Sequence, residues 1–249
     1  MQRSSNAKTG NRLLDALPPK SLRRLQPDLE SVALVLGAPV HATEHVYFPV
    51  SGMISVVATV TDRTPVEIGM IGREGMYRVS SILSDHNPFL TATVQLAGRA
   101  LRLRTRLLRH EMQLDLSVQQ LLQRYAQAIL SYLAQSAACN RVHMLEQRFA
   151  RWLLACRDRA DADTFPVTHE FLAMNLGVRR PSVTLVAQSL QQNGLITYYH
   201  GTMTVLDREG LEAVSCNCYR VIQNEFACLL GRSPIALSTS LMLSALNVI

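Results

Sequence analysis

Lysine is almost missing from this chain, occurring only at Lys8 and Lys20, so its positive charge rests on arginine. Lys+Arg number 25 against Asp+Glu 19, a formal charge of +6. That surplus is compatible with a nucleic-acid partner but does not demand one. No apolar run reaches the roughly 20 residues that span a bilayer, and the N-terminal MQRSSNAKTG is polar, without the apolar core of a secretory signal. A cytoplasmic protein with no membrane partner is therefore expected. Cysteine is absent before Cys139. The five present (Cys139, Cys156, Cys216, Cys218 and Cys228) are an odd number, which argues against a disulfide framework. Cys216-Asn217-Cys218 with Cys228 has the softness of a metal or redox site. A C-x-C without a well-spaced fourth ligand is nevertheless a weak metal signal, so no metal site and no cofactor is expected. His143 and His169 read as ordinary helix surface or interface residues. Ser-His-Asp, Cys-His, paired-carboxylate and phosphate-loop constellations are all missing, and an enzyme is not expected.

With 249 residues, 48% of them hydrophobic, the chain can form one large or two ordinary domains. Asn11–Glu30 reads as two short helices broken at Pro18-Pro19. From Val32 to Leu103, the apolar runs VALVL, HVYFPV, MISVVATV, VEIGMI, TATVQL and ALRL alternate with glycine, proline and polar turns. Short strands at this spacing predict a β-sandwich or roll, with Gly52 at a corner and Thr61–Pro65 as a hairpin loop. After Thr105 the period becomes helical. Val118, Leu122, Tyr125, Ile129, Tyr132, Ser136 and Cys139 step by 4, 3, 4, 3, 4 and 3, an a/d seam sustained for about three heptads. A helix from Ser117 to Cys139 would be about 34 Å long. A narrow seam of that length predicts a facing helix, with packing on the chain's own β-layer as the alternative. Asn140-Arg141 is the expected hinge into a helix over Val142–Arg159. That helix carries Leu145, Phe149, Trp152, Leu153 and Cys156 on one side, and Asp158–Pro166 follows as a polar linker. The tail Ile235–Ile249 is apolar but interrupted by Ser238, Thr239, Ser240 and Ser244, and fits a docked or loose helix better than an anchor.

The most informative stretch is Thr168–Ile196, THEFLAMNLGVRRPSVTLVAQSLQQNGLI. Thr168 suits a helix N-cap and Glu170 the first turn, where a carboxylate complements the helix dipole. Phe171, Leu172 and Leu176 give this helix an apolar face. Gly177 supplies a tight turn, and Pro181 suits the first turn of a second helix. Val183, Val186, Ala187 and Leu190 define that helix's buried face. Arg179, Arg180, Ser182, Thr184 and Gln188 lie opposite and are side chains that hydrogen-bond base edges and phosphates. Asn193-Gly194 ends the helix. LITYY (Leu195–Tyr199) and TMTVLD (Thr202–Asp207) then read as strands around the turn pair His200-Gly201. Helix, turn, helix and hairpin together predict a winged helix-turn-helix. Bulk charge does not carry this reading: Thr164–Leu206 holds Arg179 and Arg180 against Glu170, a net of +1.

The run Thr168–Asp207 resembles the C-terminal domain of the cyclic-AMP receptor / fumarate–nitrate regulator (Crp/Fnr) family. The shared pattern is roughly T-x-E-x-(L/I)-A-x-x-(L/V)-G-x-x-R-x-(S/T)-V followed by G-L-I and a wing. Thr168, Glu170, Leu172, Ala173, Leu176, Gly177, Arg180, Ser182, Val183, Gly194, Leu195 and Ile196 fit it. Tyr47–Val57 and Ile68–Met76 resemble the family's β-roll more weakly. The resemblance implies an α+β protein: an N-terminal β-roll (double-stranded β-helix, cyclic-nucleotide-binding-like), a long dimerisation helix and a C-terminal winged helix-turn-helix. The corresponding segments are 1–10 as a disordered tail, 11–116 as the sensor, 117–140 as the dimer helix, 141–231 as the DNA-binding domain and 232–249 as a tail. It further implies a homodimeric regulator paired through the Val118–Cys139 seam. Its partners would be double-stranded DNA, read by Thr168, Arg179, Arg180, Ser182, Thr184 and Gln188, and RNA polymerase. The alternatives are a cyclic-nucleotide-gated regulator and a sensing or interaction module that does not bind DNA.

Two departures from the family pattern matter. The iron–sulfur members carry a cysteine cluster near the N-terminus, which is lacking here. The cyclic-AMP binders use G-x-x-x-G-E-(L/I) and then R-(S/T)-A. Here Gly72, Arg73, Gly75, Thr91 and Ala92 form only a degenerate pocket, with Leu90 in the place of the phosphate-binding arginine and no carboxylate after Gly75. An anionic phosphate without its cation is costly to bind in a partly buried site, so an effector other than cyclic AMP, or none, is expected. In the second helix Arg180 matches the guanine-reading arginine, but Pro181 and Leu185 stand where a glutamate and a further arginine are common, so the family's usual operator is not implied.

Overall fold

The computed structural model describes residues 8–41, 44–59, 65–84 and 90–231. The 232–249 tail, the first seven residues of the N-terminal tail and most of the Thr61–Pro65 loop therefore lie outside the described residues.

Two short helices open the fold, α1 (Arg12–Asp15) and α2 (Pro19–Leu25), broken at Pro18-Pro19 as the sequence predicts. Asn11 locks this entry. Its carboxamide oxygen accepts from Leu13 N and Leu14 N, and its nitrogen donates to Pro49 O and Gly75 O, both at 2.8 Å. The β-layer follows as β1 (Glu30–Leu34), β2 (His45–Thr59), β3 (Pro65–Ile71) and β4 (Leu90–Arg104), an antiparallel sheet in the order β1-β4-β2-β3. Six apolar runs become four strands: HVYFPV and MISVVATV fuse in β2, and TATVQL and ALRL in β4. The join in β2 is Gly52, at φ +77°, where a Cβ would lie 2.5 Å from Leu96 O. Register shifts around Ser51 and Met53 bend the strand there without ending it.

Two helices follow the sheet, α3 (Thr105–Leu114) and α4 (Leu116–Val142). Asp115 caps α4 by accepting from Ser117 N at 3.0 Å. The break after α4 falls at His143 rather than at Asn140-Arg141, because α4 keeps its hydrogen bonding to the end: His143 N still donates to Cys139 O. Next comes α5 (Leu145–Ala160). The winged domain follows as β5 (Thr164–Pro166), α6 (His169–Leu176), α7 (Arg180–Gln192), β6 (Ile196–Tyr199), β7 (Thr202–Val205) and α8 (Arg208–Val214), with α9 (Cys218–Leu229) returning along α4. The segment expected as a linker, Asp158–Pro166, is instead the end of α5 plus strand β5, which pairs with β7 in the sheet β5-β7-β6. Thr164–Pro166 alternates exposed and buried, with Phe165 inside, so it has a strand's two-sided burial over too short a run to be read as one.

The a/d seam of α4 is covered largely by its own chain. Val118, Leu122, Tyr125, Tyr132 and Cys139 are buried, but within their own chain. Tyr125 Oη donates to Met76 O at 2.8 Å and accepts from Met76 N at 2.9 Å. Tyr132 Oη accepts from Met70 N, and its ring meets Phe226 of α9 edge-on at 6.3 Å between centroids. Ile129 and Ser136 are half-buried on the same side. The five buried side chains are covered within the chain, largely by the β-layer and α9, while Ile129 and Ser136 keep part of their surface exposed. A heptad pattern reports that a helix has one apolar face, not which neighbour covers it.

Beneath the winged domain lies a core of Phe149, Trp152, Leu153, Leu172, Val183, Leu190 and Ile196, continuous with Met53, Met70 and Leu96 of the β-layer. The DNA-binding half is thus packed on the sheet.

Candidate nucleic-acid interface

The helix-turn-helix is assembled by local rules. Thr168 Oγ1 accepts from Phe171 N at 3.2 Å and caps α6. Gly177, at φ +63°, turns the chain, and Val178 N closes the helix end on Ala173 O. Pro181 stands in the first turn of α7, where no N–H is needed. Val183, Ala187 and Leu190 bury the inner face of α7 against α6 and the wing. The wing turns at His200 and Gly201, φ +46° and +79°, the two consecutive left-handed residues a tight hairpin requires. Gln191 Oε1 accepts from Tyr198 N at 2.9 Å and ties the wing to α7.

The outer face of α7 presents Arg179, Arg180, Leu185 and Gln188 to solvent. Ser182 and Thr184 are half-buried, and Thr184 is engaged within the domain. Its hydroxyl donates to Arg180 O at 3.2 Å and lies 3.0 Å from His169 Nδ1. The His169 ring in turn stacks on Tyr198 at 4.2 Å. Burial, and then the nearby Arg180 charge, lower the His169 pKa, which favours the neutral imidazole. His169 and Thr184 thus position α6, α7 and the wing relative to one another. Sequence reasoning missed this role for His169, since its ring meets Tyr198 across 29 residues of chain. Leu185, 68% exposed at the centre of the outer face, and Tyr199, 73% exposed on the wing, are apolar surfaces the sequence reading did not assign to the interface.

The residues of the degenerate sensor pocket do not come together as a pocket. Gly72 N donates to Glu74 Oε1 at 3.1 Å. Arg73 pairs with Asp161 through both terminal nitrogens, at 2.7 and 3.0 Å. A Cβ on Gly75 would lie 2.3 Å from Tyr125 Oη. Thr91 is exposed on β4, while Ala92 is buried in the sheet core. None of the five lines the apolar cavity of about 80 Å³ between β3 and α4, which is walled by Ile68, Met70, Ile129, Tyr132 and Leu133. The sequence around Gly72–Gly75 is instead a contact with α5: buried Glu74 meets buried Arg159 at 2.8 Å.

The family described as a Crp-like helix-turn-helix domain matches residues 147–214. No curated protein matches the chain. A protein described as a Crp/Fnr-family transcriptional regulator, from Eubacterium rectale, has a similar structure, with TM-score 0.65, 17% identity, and 83% of this chain and 99% of that one covered. FixK2 from Bradyrhizobium japonicum is similar at TM-score 0.63 and 14% identity over 76% of this chain and 98% of its own. The c-di-GMP-responsive global regulator CLP of Xanthomonas campestris gives 0.61 and 15% over 76% and 100%. At these identities the likeness is one of fold, and it extends through the β-layer and the long helix as well as the winged domain. The chain thus carries a Crp-like helix-turn-helix domain, a domain type that supports DNA-binding transcription regulation, within a fold it shares with these regulators.

Proposed function

We propose that the protein acts in the cytoplasm as a homodimer, places α7 of each protomer in the major groove of an inverted-repeat operator, and does so without cyclic AMP. The outer face of α7 carries the reading: Arg179, Arg180, Leu185 and Gln188 are exposed together on a helix whose opposite face is locked into the core. Arg180 has the reach for a bidentate contact to guanine, and Leu185 the surface to pack against a thymine methyl. The N-terminal end of α6, capped by Thr168, suits a backbone phosphate. Pairing is assigned to the outer face of α4, where Leu130 is 56% exposed and Ala134 and Ala137 follow at steps of 4 and 3. Small residues there allow two helices to approach closely. RNA polymerase is the expected further partner.

The engagement of the phosphate-cassette residues elsewhere in the fold supports an effector other than cyclic AMP or none. Selection of bound sequences from a random duplex library, read by sequencing, tests the whole proposal. A palindromic motif with half-site centres about 34–36 Å apart is expected. Recovery of no enriched sequence would favour an interaction module instead.

A further inference from the structure

At the hinge between α4 and α5, four side chains from distant parts of the chain converge. Cys139 and His143 lie one turn apart at the end of α4, Cys216 lies in the loop between α8 and α9, and Cys218 opens α9. Their ligand atoms all lie within 4.8 Å of one another. Cys139 Sγ is 3.5 Å from Cys216 Sγ, and His143 Nδ1 is 3.6 Å from Cys218 Sγ. A tetrahedral ion bound at about 2.3 Å by sulfur and about 2.0–2.1 Å by nitrogen separates its ligand atoms by roughly 3.4–3.8 Å. The three cysteines are buried and form a cluster of their own, apart from the aliphatic cores. Gln135 Nε2 donates to Cys218 Sγ at 2.9 Å, the kind of outer hydrogen bond that steadies a thiolate ligand.

We propose that Cys139, His143, Cys216 and Cys218 bind one zinc ion in a closed tetrahedral site. Ordinary core packing explains three small buried cysteines but not an imidazole nitrogen directed among them. A disulfide would join two sulfurs at about 2.0 Å and leave the third thiol and the histidine without a purpose. Three thiolates and one imidazole are the soft donor set that selects zinc over hard cations, and convergence on a single point suits one ion rather than a cluster. Binding displaces the thiol protons to solvent, and the divalent charge takes their place. With all four positions filled by protein the site is structural. It ties the last turn of α4 to the start of α9, and His143 is itself the residue at which α4 breaks before α5. The ion therefore sets the hinge that carries the helix-turn-helix.

The full chain, expressed without a histidine tag and purified under reducing conditions, is assayed for metal by mass spectrometry, then stripped with a chelator and titrated with cobalt(II). One equivalent of zinc is expected, as are the intense visible bands of a tetrahedral thiolate–cobalt complex. Both readouts use the unmodified protein, so they stand even if a variant misfolds. Cys216→Ser should weaken cobalt binding at least tenfold, while Cys228→Ser, at the exposed cysteine, should leave it unchanged. Four results would each overturn the proposal: no retained zinc with no cobalt spectrum, an iron–sulfur chromophore, a Cys139–Cys216 disulfide in the reduced preparation, or equal binding by Cys216→Ser. None of these readouts involves DNA, so this site and the operator reading fail or stand separately.

Discussion

Trp152 and Glu67 join the DNA-binding half of the molecule to its β-layer: the indole N–H of Trp152, in α5, donates to Glu67 Oε1 in β3 at 2.9 Å. Ser55 Oγ, from β2, donates to the other carboxylate oxygen at 2.5 Å. Both partners are almost wholly buried. Beside them Arg159 of α5 pairs with Glu74. Any rearrangement of the helix-turn-helix relative to the sheet must break these contacts.

Burial pushes the Glu67 pKa up, from 4.5 to about 7, against the opposing hydrogen bonds from Ser55 and Trp152. The folded state therefore holds this proton more tightly than the unfolded chain. Stability linked to Glu67 is fully present below the unfolded value, falls as pH rises through the window up to about 7, and is level above it. The span corresponds to roughly 3 kcal/mol. Urea unfolding across that window should show the decline, and Glu67→Gln, which keeps an acceptor for the indole, should remove most of it. An unchanged pH slope in the variant would mean that the carboxyl is not the titrating group.

Removing one partner of the Arg159–Glu74 pair leaves a buried charge alone. Glu74→Ala should cost about 3–5 kcal/mol of stability, measured by denaturant unfolding. The exposed Asp161 partner of Arg73 is a useful contrast: Asp161→Asn, which suits the left-handed backbone there, should cost at most about 1 kcal/mol.

Leu130→Glu on the outer face of α4 should convert dimer to monomer in sedimentation, and weaken operator binding with it. The residue is already exposed, so the fold should be intact by circular dichroism. A dimer that persists would move the interface elsewhere.

Arg180→Ala should relax preference at one base pair of each half-site, at a cost of about 1–3 kcal/mol per contact, and Leu185→Ala should weaken discrimination for thymine. Arg179→Ala, if its contact is to phosphate, should weaken all sequences alike and reduce the salt dependence of binding. Binding to operator variants at two salt concentrations separates the three. Thr184→Val should instead lower stability through the lost His169 contact.

Cyclic AMP should give no calorimetric heat at micromolar concentration, because Leu90 replaces the phosphate cation and the cassette residues are committed to α5. One-to-one binding would show that the Arg73–Asp161 pair opens to admit an anion.

The helix-turn-helix was legible in the sequence because each of its decisions is local. Thr168 caps three residues away, Gly177 alone among neighbours takes the left-handed turn without a Cβ cost, and Val183, Ala187 and Leu190 repeat at helical spacing. The two opening helices and the wing turn at His200-Gly201 were legible for the same reason. What covered the seam of α4 was not. Val118, Leu122, Tyr125 and Tyr132 announce an apolar face in sequence, yet a partner helix, the chain's own sheet and the returning α9 would all produce the same pattern. Only the folded chain shows Tyr125 bonded to Met76 and Tyr132 against Phe226. The hinge cluster was hidden more deeply. Cys139 and His143 lie over 70 residues from Cys216 and Cys218, so no spacing rule unites them, and a C-x-C alone was rightly weak. Short-range backbone and capping preferences act between residues a few positions apart and can be read from their order. Burial and side-chain convergence depend on which surfaces meet, and those are chosen by the whole chain at once.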